Sequence, residues 1–311
     1  MTAIRQGSDA WLAARRELVT ATDIPVLLGL SPYSCEADLA DEKRGLRTVE
    51  TNIRMRAGLA LQPLIGEAYT EATGRKVKPW PNLAVHPSVE WAGASPDFRV
   101  VGERRLVEAK WTSSRTRFAD GLPQDVEAQV QWQLGITGYA VADVAVLTPD
   151  ALLPPFEVGF DQTLFDDLMA VAWDFRKRLL FGGEFARDSA RIKRDYPADN
   201  GAEMVADGDL DLAAKTLADL RARRKAMEAS ETALEDTIKS RMGEFAAVRG
   251  QGWHATWKRT KDSEVVDFKS LSTSLLSLVP ETDRDVVVGL HSSVRQGFRP
   301  FRLVIEKEDE S

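Results

Sequence analysis

Three residues in the first half of the chain have the types and the spacing of a metal-dependent hydrolytic site. Asp97 precedes a short gap, and Glu108 and Lys110 then follow in a run of otherwise apolar residues. Alternation along a strand places Glu108 and Lys110 on one face and points Val107 and Ala109 to the other, into a core. Two carboxylates can bind Mg²⁺ through oxygen, and an ammonium group can orient or deprotonate an attacking water beside a phosphodiester. The pattern is typical of a nuclease.

The same residue types also occur together by chance. An acid two positions before a lysine recurs as Asp41-Glu42-Lys43 and as Asp267-Phe268-Lys269. The first of these lies in a charged helical pattern with little apolar cover. Only Glu108-Ala109-Lys110 combines a strand-like apolar flank with a Pro-Asp pair just upstream. Short motifs have a high false-positive rate, so these residues alone leave both a nuclease and a structural coincidence open.

Composition is that of an ordinary globular protein, with 311 residues of which 43% are hydrophobic and 29% charged. The net charge of −7 argues against indiscriminate coating of DNA, but not against a nuclease with a local basic channel. No apolar run is long enough for a membrane span, and the polar N-terminus is not expected to be a secretory signal. The single cysteine fits a reducing compartment, so we expect a cytoplasmic protein.

The order of helical and strand patterns predicts an α+β protein with a mixed β-sheet flanked by helices. Helices are expected near residues 11–18 (with Ser8 or Asp9 as N-cap), 22–28, 37–44, 54–73, 125–139 and 162–181. Strands are expected at 76–85, 91–94, 98–101, 106–111, 142–147 and 156–160. Of these, 91–94, 98–101 and 106–111 are expected to form an antiparallel meander.

The pattern changes after about residue 185. We predict a core over 1–186, a polar linker over 187–208, and a C-terminal helical arm with short strands over 209–311. Apolar residues at alternating spacings of three and four predict a long helix over 210–242, with Arg224 and Glu231 in its remaining seam positions. Strand patterns follow at 246–260 and 298–305. The arm holds no candidate metal cluster, so we interpret it as an interaction region.

With the elements in this order, residues from about 6 to 181 resemble the YqaJ-type viral recombinase nucleases, the family that includes phage lambda exonuclease. Four blocks carry the likeness, in the order of the family. They are Gly7-Ser8-Asp9-Ala10-Trp11 with Val19-Thr20-Ala21-Thr22-Asp23, Gly58-Leu59-Ala60-Leu61-Gln62-Pro63-Leu64-Ile65, Ala94-Ser95-Pro96-Asp97 with Glu108-Ala109-Lys110, and Ala128-Gln129-Val130-Gln131-Trp132-Gln133-Leu134. The resemblance implies a PD-(D/E)xK core of restriction-endonuclease-like fold.

The resemblance also implies roles for the matching residues of the hydrolytic site. Asp97 and Glu108 would bind the metal, and Lys110 would be the catalytic lysine. Gln129 would be the helix-borne glutamine that helps to hold the lysine or the water. The alternative for Gln129 is a solvated helix face that it shares with Gln133.

A second group of residues matches the positions that grip a terminal 5′-phosphate in the family. Arg15 and Thr22 are its members, and Arg115, just past the catalytic strand, is a further candidate phosphate ligand. A guanidinium and a hydroxyl near a helix N-terminus form a sound anion site on general grounds. The alternative for Arg15 is an exposed helix arginine, as we expect for Arg16.

One position departs from the family pattern. Gln62 stands where the family has a metal-binding glutamate. A neutral amide is a much poorer Mg²⁺ ligand than a carboxylate, and it cannot take up a proton. Glu67 is five residues further along the same helix, roughly 140° around its axis, and is not an obvious replacement. A weakened metal site, an engineered substrate trap and a loss of activity all remain open.

The resemblance implies a Mg²⁺-dependent exonuclease, with Mn²⁺ able to substitute, that degrades linear double-stranded DNA from 5′ to 3′ and leaves 3′ single-stranded overhangs. Such an enzyme would serve phage or prophage recombination beside a single-strand annealing protein, as a homo-oligomer such as a trimer. One alternative is a DNA-end-binding protein whose catalysis is weakened by Gln62. The other is an endonuclease of the same superfamily.

Overall fold

The computed structural model describes residues 8–48, 52–263, 265–293, 297, 300, 301 and 303, except for the side chains of Asp9 and Arg115. Its elements form two units, of which the first ends at Asp195 and the second begins at Tyr196. In the first unit they are, in chain order, α1 (Asp9–Glu17), β1 (Val19–Thr20), α2 (Ile24–Leu27), α3 (Glu36–Lys43), α4 (Ile53–Thr73), β2 (Val77–Pro79), β3 (Ala84–His86), β4 (Val89–Ala94), β5 (Phe98–Val100), β6 (Arg105–Trp111), α5 (Gln124–Thr137), β7 (Val141–Leu147), β8 (Phe156–Gly159), α6 (Gln162–Phe181) and α7 (Ser189–Asp195).

Residues at the ends of the long helices explain where they begin and stop. The side chains of Ser8, Asn52 and Asp161 accept hydrogen bonds from backbone N–H groups in the first turns of α1, α4 and α6. Helices α4 and α5 end at Gly74 and Gly138, whose φ angles of 73° and 69° lie in the left-handed region. Glycine adopts this region without strain, which is why it ends helices so often.

The larger sheet has the strand order β2-β5-β6-β7-β8. Its central strand β6 pairs antiparallel with β5 and parallel with β7, so the predicted class, α+β with a mixed sheet, is confirmed. In this register Val107 lies between Phe98 of β5 and Asp143 of β7. The residues that alternate with Val107 along β6, Glu108 among them, therefore face the other side of the sheet.

The predicted antiparallel meander is wrong for its first strand. Strand β4 belongs to a separate sheet of order β1-β4-β3, where it pairs parallel with β1 and antiparallel with β3. The single strand expected over 76–85 is likewise two strands, β2 and β3, which lie in different sheets. Pairing partners that are distant in sequence decide these sheets, and local alternation does not identify such partners.

Helices cover both faces of the larger sheet. On one face Ile65 and Tyr69 of α4 pack with Val107 and Ala145 in one apolar cluster. On the other, Val130 and Leu134 of α5 pack with Leu106, Val144 and Val146. A third cluster joins α5 to α6 and to the N-terminal helices, through Trp132, Phe165, Phe175 and Ile24 among others. Strand β6 is thus held between two helices, which fixes the side chains it presents.

The segment expected to be a linker contains helix α7. Arg191 of this helix donates to Asp38 at 2.9 Å and to Asp41 at 2.6 Å, and Arg194 also binds Asp38. Because Asp38 and Asp41 are on α3, these ion pairs attach residues 189–195 to the first unit. The structural division of the chain therefore comes at residue 195, nine residues after the end of the predicted core.

The second unit begins with a long helix, α8 (Gly208–Met242), close to the predicted 210–242. A hairpin of β9 (Ala247–Gly250) and β10 (Trp253–Thr256) follows, and then α9 (Phe268–Ser277) and α10 (Glu281–Leu290). The strand predicted at 298–305 lies largely outside the described residues. Across the described part of the chain, no helix is both long enough and apolar enough to span a membrane.

Candidate active site

Glu108 lies at the centre of a group of hydrogen-bonding side chains on β6 and α5. Its Oε1 accepts from Lys110 Nζ at 2.7 Å and from Gln129 Nε2 at 2.6 Å, and its Oε2 accepts from Gln133 Nε2 at 2.8 Å. Lys110 Nζ also donates to Gln129 Oε1 at 2.9 Å. Glu108 is only 4% exposed, so its charge is stabilised by these donors rather than by bulk water.

Asp97 is the second carboxylate of the site and precedes β5. Its Oδ2 accepts from the backbone N–H of Ala109 at 2.8 Å, which ties it to β6. Its Oδ1 accepts from Gln62 Nε2 of helix α4 at 2.5 Å. Gln62, at the position where the resemblance implies a glutamate, is therefore in direct contact with Asp97.

The pKa values of Asp97 and Lys110 are both shifted upward, for different reasons. Burial raises the pKa of Asp97 well above its usual value, and the nearby Glu108 carboxylate raises it further. For Lys110, burial is the largest single influence and lowers the pKa, but the charge and hydrogen bond of Glu108 together with the charges of Asp97 and Asp125 raise it, and the net shift is upward. The Glu108 charge thus disfavours the ionised form of Asp97, and a nearby cation would favour it.

A second polar group lies where α1, β1 and α2 meet. The guanidinium of Arg15 donates through one nitrogen to Thr20 Oγ1 at 3.1 Å and to Thr22 Oγ1 at 2.6 Å. It also lies over the ring of Trp11, 4.5 Å from the ring centroid. Among the described residues, no carboxylate forms an ion pair with Arg15. Its positive charge is thus held in place and left available to an anion.

One cleft of about 380 Å³ joins the two groups. It is lined by Arg15, Thr20 and Thr22 from the first group and by Asp97, Glu108, Lys110, Gln129 and Gln133 from the second, together with Gln62, Ser95 and apolar residues of α4. The Ser95 hydroxyl is buried and finds no hydrogen-bond partner among the described residues. A buried hydroxyl without a partner is costly, so Ser95 is a candidate ligand for a bound group.

The donor set of the cleft fits Mg²⁺ with a partial set of protein ligands. Within the described part of the chain, no three His, Cys, Asp or Glu side chains are grouped closely enough to hold a metal ion. Asp97 and Glu108 provide two carboxylates, and Mg²⁺ commonly binds one or two carboxylates while keeping several waters. Asp97 and Glu108 line the same cleft. Burial and the Glu108 charge raise the pKa of Asp97, and a cation bound beside the two carboxylates would offset that repulsion.

The structure brings together most of the predicted site residues and adds three. Gln129 is 9% exposed and Gln133 1% exposed, so the alternative of a solvated helix face is wrong. Sequence reasoning missed Gln133, Thr20 and Ser95 as site residues, although Gln133 is four positions after Gln129 and so shares its helix face. The side chain of Arg115 lies outside the described part, and its predicted phosphate contact stays a prediction.

Comparison with known proteins identifies the region that contains this cleft. Residues 10–140 match the YqaJ-like viral recombinase domain. The matched residues include both the Arg15 group and the Asp97, Glu108 and Lys110 group, and they end just after helix α5.

The chain is also similar to individual proteins. The uncharacterized protein YqaJ of Bacillus subtilis strain 168 is 27% identical over 214 residues, which cover 66% of this chain and 67% of that protein. The alkaline exonuclease LHK-Exo of Laribacter hongkongensis is 24% identical, with a TM-score of 0.48, over 56% of this chain and 93% of that one. A phage related exonuclease of Haemophilus somnus 129PT is 12% identical, with a TM-score of 0.43, over 53% of this chain and 95% of that one.

Proposed function

We propose that the YqaJ-like domain is a Mg²⁺-dependent exonuclease that degrades one strand of linear double-stranded DNA from its 5′ end and leaves a 3′ single-stranded overhang. The observation that carries the proposal is the single cleft that holds both an available guanidinium and a pair of carboxylates with a lysine. An enzyme that starts at a DNA end needs a place for the terminal phosphate beside the place where it cuts. The cleft has both.

The Arg15 end of the cleft would bind the 5′-phosphate. Arg15 and Thr22 offer a guanidinium and a hydroxyl within 2.6 Å of each other, and phosphate oxygens accept from both. The buried Ser95 hydroxyl lines the same cleft and can donate a further hydrogen bond. Such charge-assisted bonds are shorter and stronger than neutral ones, so they would fix the DNA end and set its position over β6.

The Glu108 end would carry out hydrolysis. Asp97 and Glu108 would hold Mg²⁺, which when bound polarises the scissile phosphate and acidifies water. Lys110 is kept as an ammonium by Glu108 and is oriented by Gln129. From that position it can donate to a phosphate oxygen as negative charge develops there, or orient the attacking water. Gln129 and Gln133 hold the Glu108 carboxylate at both oxygens.

The family supports a role in phage-type homologous recombination, because the matched domain is that of a viral recombinase. A 3′ overhang is the substrate that a single-strand annealing protein needs, so such a protein is the partner we propose. A homo-oligomer, for example a trimer that encloses the duplex, would keep the enzyme on its substrate. Mn²⁺ can substitute for Mg²⁺ at a site built of carboxylates.

A second candidate is a DNA-end-binding protein with weakened catalysis. The contact between Gln62 and Asp97 favours this candidate. The Gln62 amide donates a hydrogen bond to Oδ1 of a carboxylate that would bind the metal. In this case the Arg15 group would still bind 5′-phosphorylated ends. Cleavage would be slow or absent.

Digestion of matched DNA substrates in Mg²⁺ tests the proposal. The substrates are one plasmid as a covalently closed circle and as a linear duplex, the latter with 5′-phosphoryl or 5′-hydroxyl ends. We expect degradation of the linear forms only, fastest from 5′-phosphoryl ends. Binding of ends without cleavage would support the second candidate, and cutting of the closed circle would indicate an endonuclease and contradict the proposal.

A further inference from the structure

A buried ion pair lies directly behind the Arg15 end of the cleft. Lys43 at the end of α3 donates from Nζ to Asp23 Oδ2 at 2.6 Å, and the two side chains are 8% and 9% exposed. Neither residue lines the cleft. Lys43 is the lysine of Asp41-Glu42-Lys43, which from the sequence alone is a chance match to the acid-x-Lys pattern. In the structure it has a specific ion-pair partner, Asp23.

Lys43 holds the backbone of the helix that carries Arg15. Besides Asp23, its Nζ donates to the carbonyl oxygen of Arg15 at 3.0 Å and to that of Leu18 at 2.6 Å. These carbonyls are in the last turn of α1 and just beyond it, where the helix itself provides no N–H donors. The three donors of the ammonium group therefore fix the main chain from which the Arg15 side chain extends.

Asp23 orients the Thr20 hydroxyl, which in turn accepts a hydrogen bond from Arg15. Its Oδ2 accepts from Thr20 N at 2.7 Å and from Thr20 Oγ1 at 2.9 Å. Because the Thr20 hydroxyl proton points to Asp23, its lone pairs are left for Arg15, which donates to Thr20 Oγ1 at 3.1 Å. Ammonium, carboxylate, hydroxyl and guanidinium thus form one continuous chain from Lys43 to Arg15.

A buried ion pair is weak evidence of stabilisation, since apolar residues of similar volume often serve as well or better. Such a pair can instead fix a geometry. We propose that Lys43 and Asp23 are positioning residues that hold Arg15 and Thr20 in the arrangement that distinguishes a 5′-phosphoryl end from a 5′-hydroxyl end. This inference rests on the proposed function, because it assumes that Arg15 meets the terminal phosphate.

The test compares KM values for two hairpin duplexes that differ only in a 5′-phosphoryl or a 5′-hydroxyl end. The variant is Lys43→Met combined with Asp23→Asn, which removes both charges and leaves neither unpaired, in the full-length protein. We expect the ratio of KM values, hydroxyl over phosphoryl, to fall by roughly tenfold, because Arg15 no longer aligns its charge-assisted bond. A protein that is only less stable would lose rate on both ends equally and keep the ratio.

One control variant and one replacement variant complete the test. Lys177→Met removes an exposed lysine of α6 outside the cleft and should leave the ratio at the wild-type value. If the double variant does not fold, the isosteric Asp23→Asn alone takes its place, with the same expected fall. A wild-type ratio near one would overturn the proposed phosphate site and this inference with it, whereas a clear wild-type ratio that the variants retain would overturn this inference alone.

Discussion

The Gln62 side chain donates its amide nitrogen to Asp97 Oδ1 at 2.5 Å. This contact joins α4 to the loop before β5. The other oxygen of Asp97 accepts from the backbone N–H of Ala109. A metal ion bound at Oδ1 would therefore have the Gln62 amide as an immediate neighbour.

Gln62→Glu should strengthen the metal site. The substitution replaces an amide donor by a carboxylate of almost the same shape, and Mg²⁺ binds carboxylates far better than amide groups. We expect the Mg²⁺ concentration for half-maximal nuclease rate to fall by roughly tenfold or more. A titration of initial rate against Mg²⁺ measures it. An unchanged or higher half-maximal concentration would show that position 62 does not face the metal.

Arg15→Ala should reduce degradation of 5′-phosphorylated ends far more than that of 5′-hydroxyl ends. The loss of one charge-assisted bond to phosphate removes roughly 1.5–3 kcal/mol of binding. Arg16→Ala is the matched control, because Arg16 is the adjacent residue of α1 and is exposed. The measurement is the initial rate of degradation from 5′-phosphoryl and from 5′-hydroxyl ends. If Arg15→Ala slows both equally, Arg15 contacts the DNA backbone in general and not the terminal phosphate.

Gln133→Leu should lower the nuclease rate by roughly 10–100-fold, the range found for groups that orient a metal ligand. The variant leaves Glu108 Oε2 without its 2.8 Å donor. Gln131→Leu is the control on the same helix, because Gln131 is also buried but binds Gly159 and Asp161 outside the cleft. The kcat of both variants, measured beside their melting temperatures, separates a site effect from a folding effect. Equal losses in the two variants would argue against the orienting role.

Tyr69 should make the stability of the protein depend on alkaline pH. Burial, together with the hydrogen bond that its hydroxyl donates to Asp143, raises its pKa from 10.0 to about 12. The folded state favours the neutral phenol, so the stabilisation is complete below pH 10 and is lost as the pH rises toward 12.

Denaturant titrations of the wild type and of Tyr69→Phe at several pH values measure this effect. Between pH 9 and 12 the wild type should lose on the order of 2 kcal/mol more of its free energy of unfolding than the variant does. Other titrating groups are common to both proteins and cancel in the difference. Parallel curves over this range would mean that Tyr69 ionises as easily in the folded state as in the unfolded one.

Local patterns predicted the longer helices α4, α5, α6 and α8 close to their observed limits, whereas α7, α9 and α10 had no helix prediction. Helix α6 has the predicted limits, since Asp161 caps its start and Gly182 follows its last residue. The sheets were harder. Strand β4 joins β1, a strand of two residues that pairs with it in parallel, and no local alternation marks a strand so short.

The candidate site shows the same division. The strand face of Glu108 and Lys110 and the placement of Gln129 beside them were predictable from spacing and from the family resemblance. Gln133 was within reach of the same argument, because it is one helical turn from Gln129. Lys43 was not, since Asp23 is 20 positions away from it in sequence and only the fold shows that the two residues meet.

The release of nucleotides from a linear, 5′-phosphorylated duplex in saturating Mg²⁺ tests the assignment of Asp97, Glu108 and Lys110 to the active site. It is measured for the wild type and for Asp97→Ala, Glu108→Ala and Lys110→Ala, each checked for folding. This assignment predicts that the wild type degrades the duplex, that each single variant abolishes degradation, and that any two combined add little, because residues that act as a unit fail together. Full degradation by folded Lys110→Ala would contradict it.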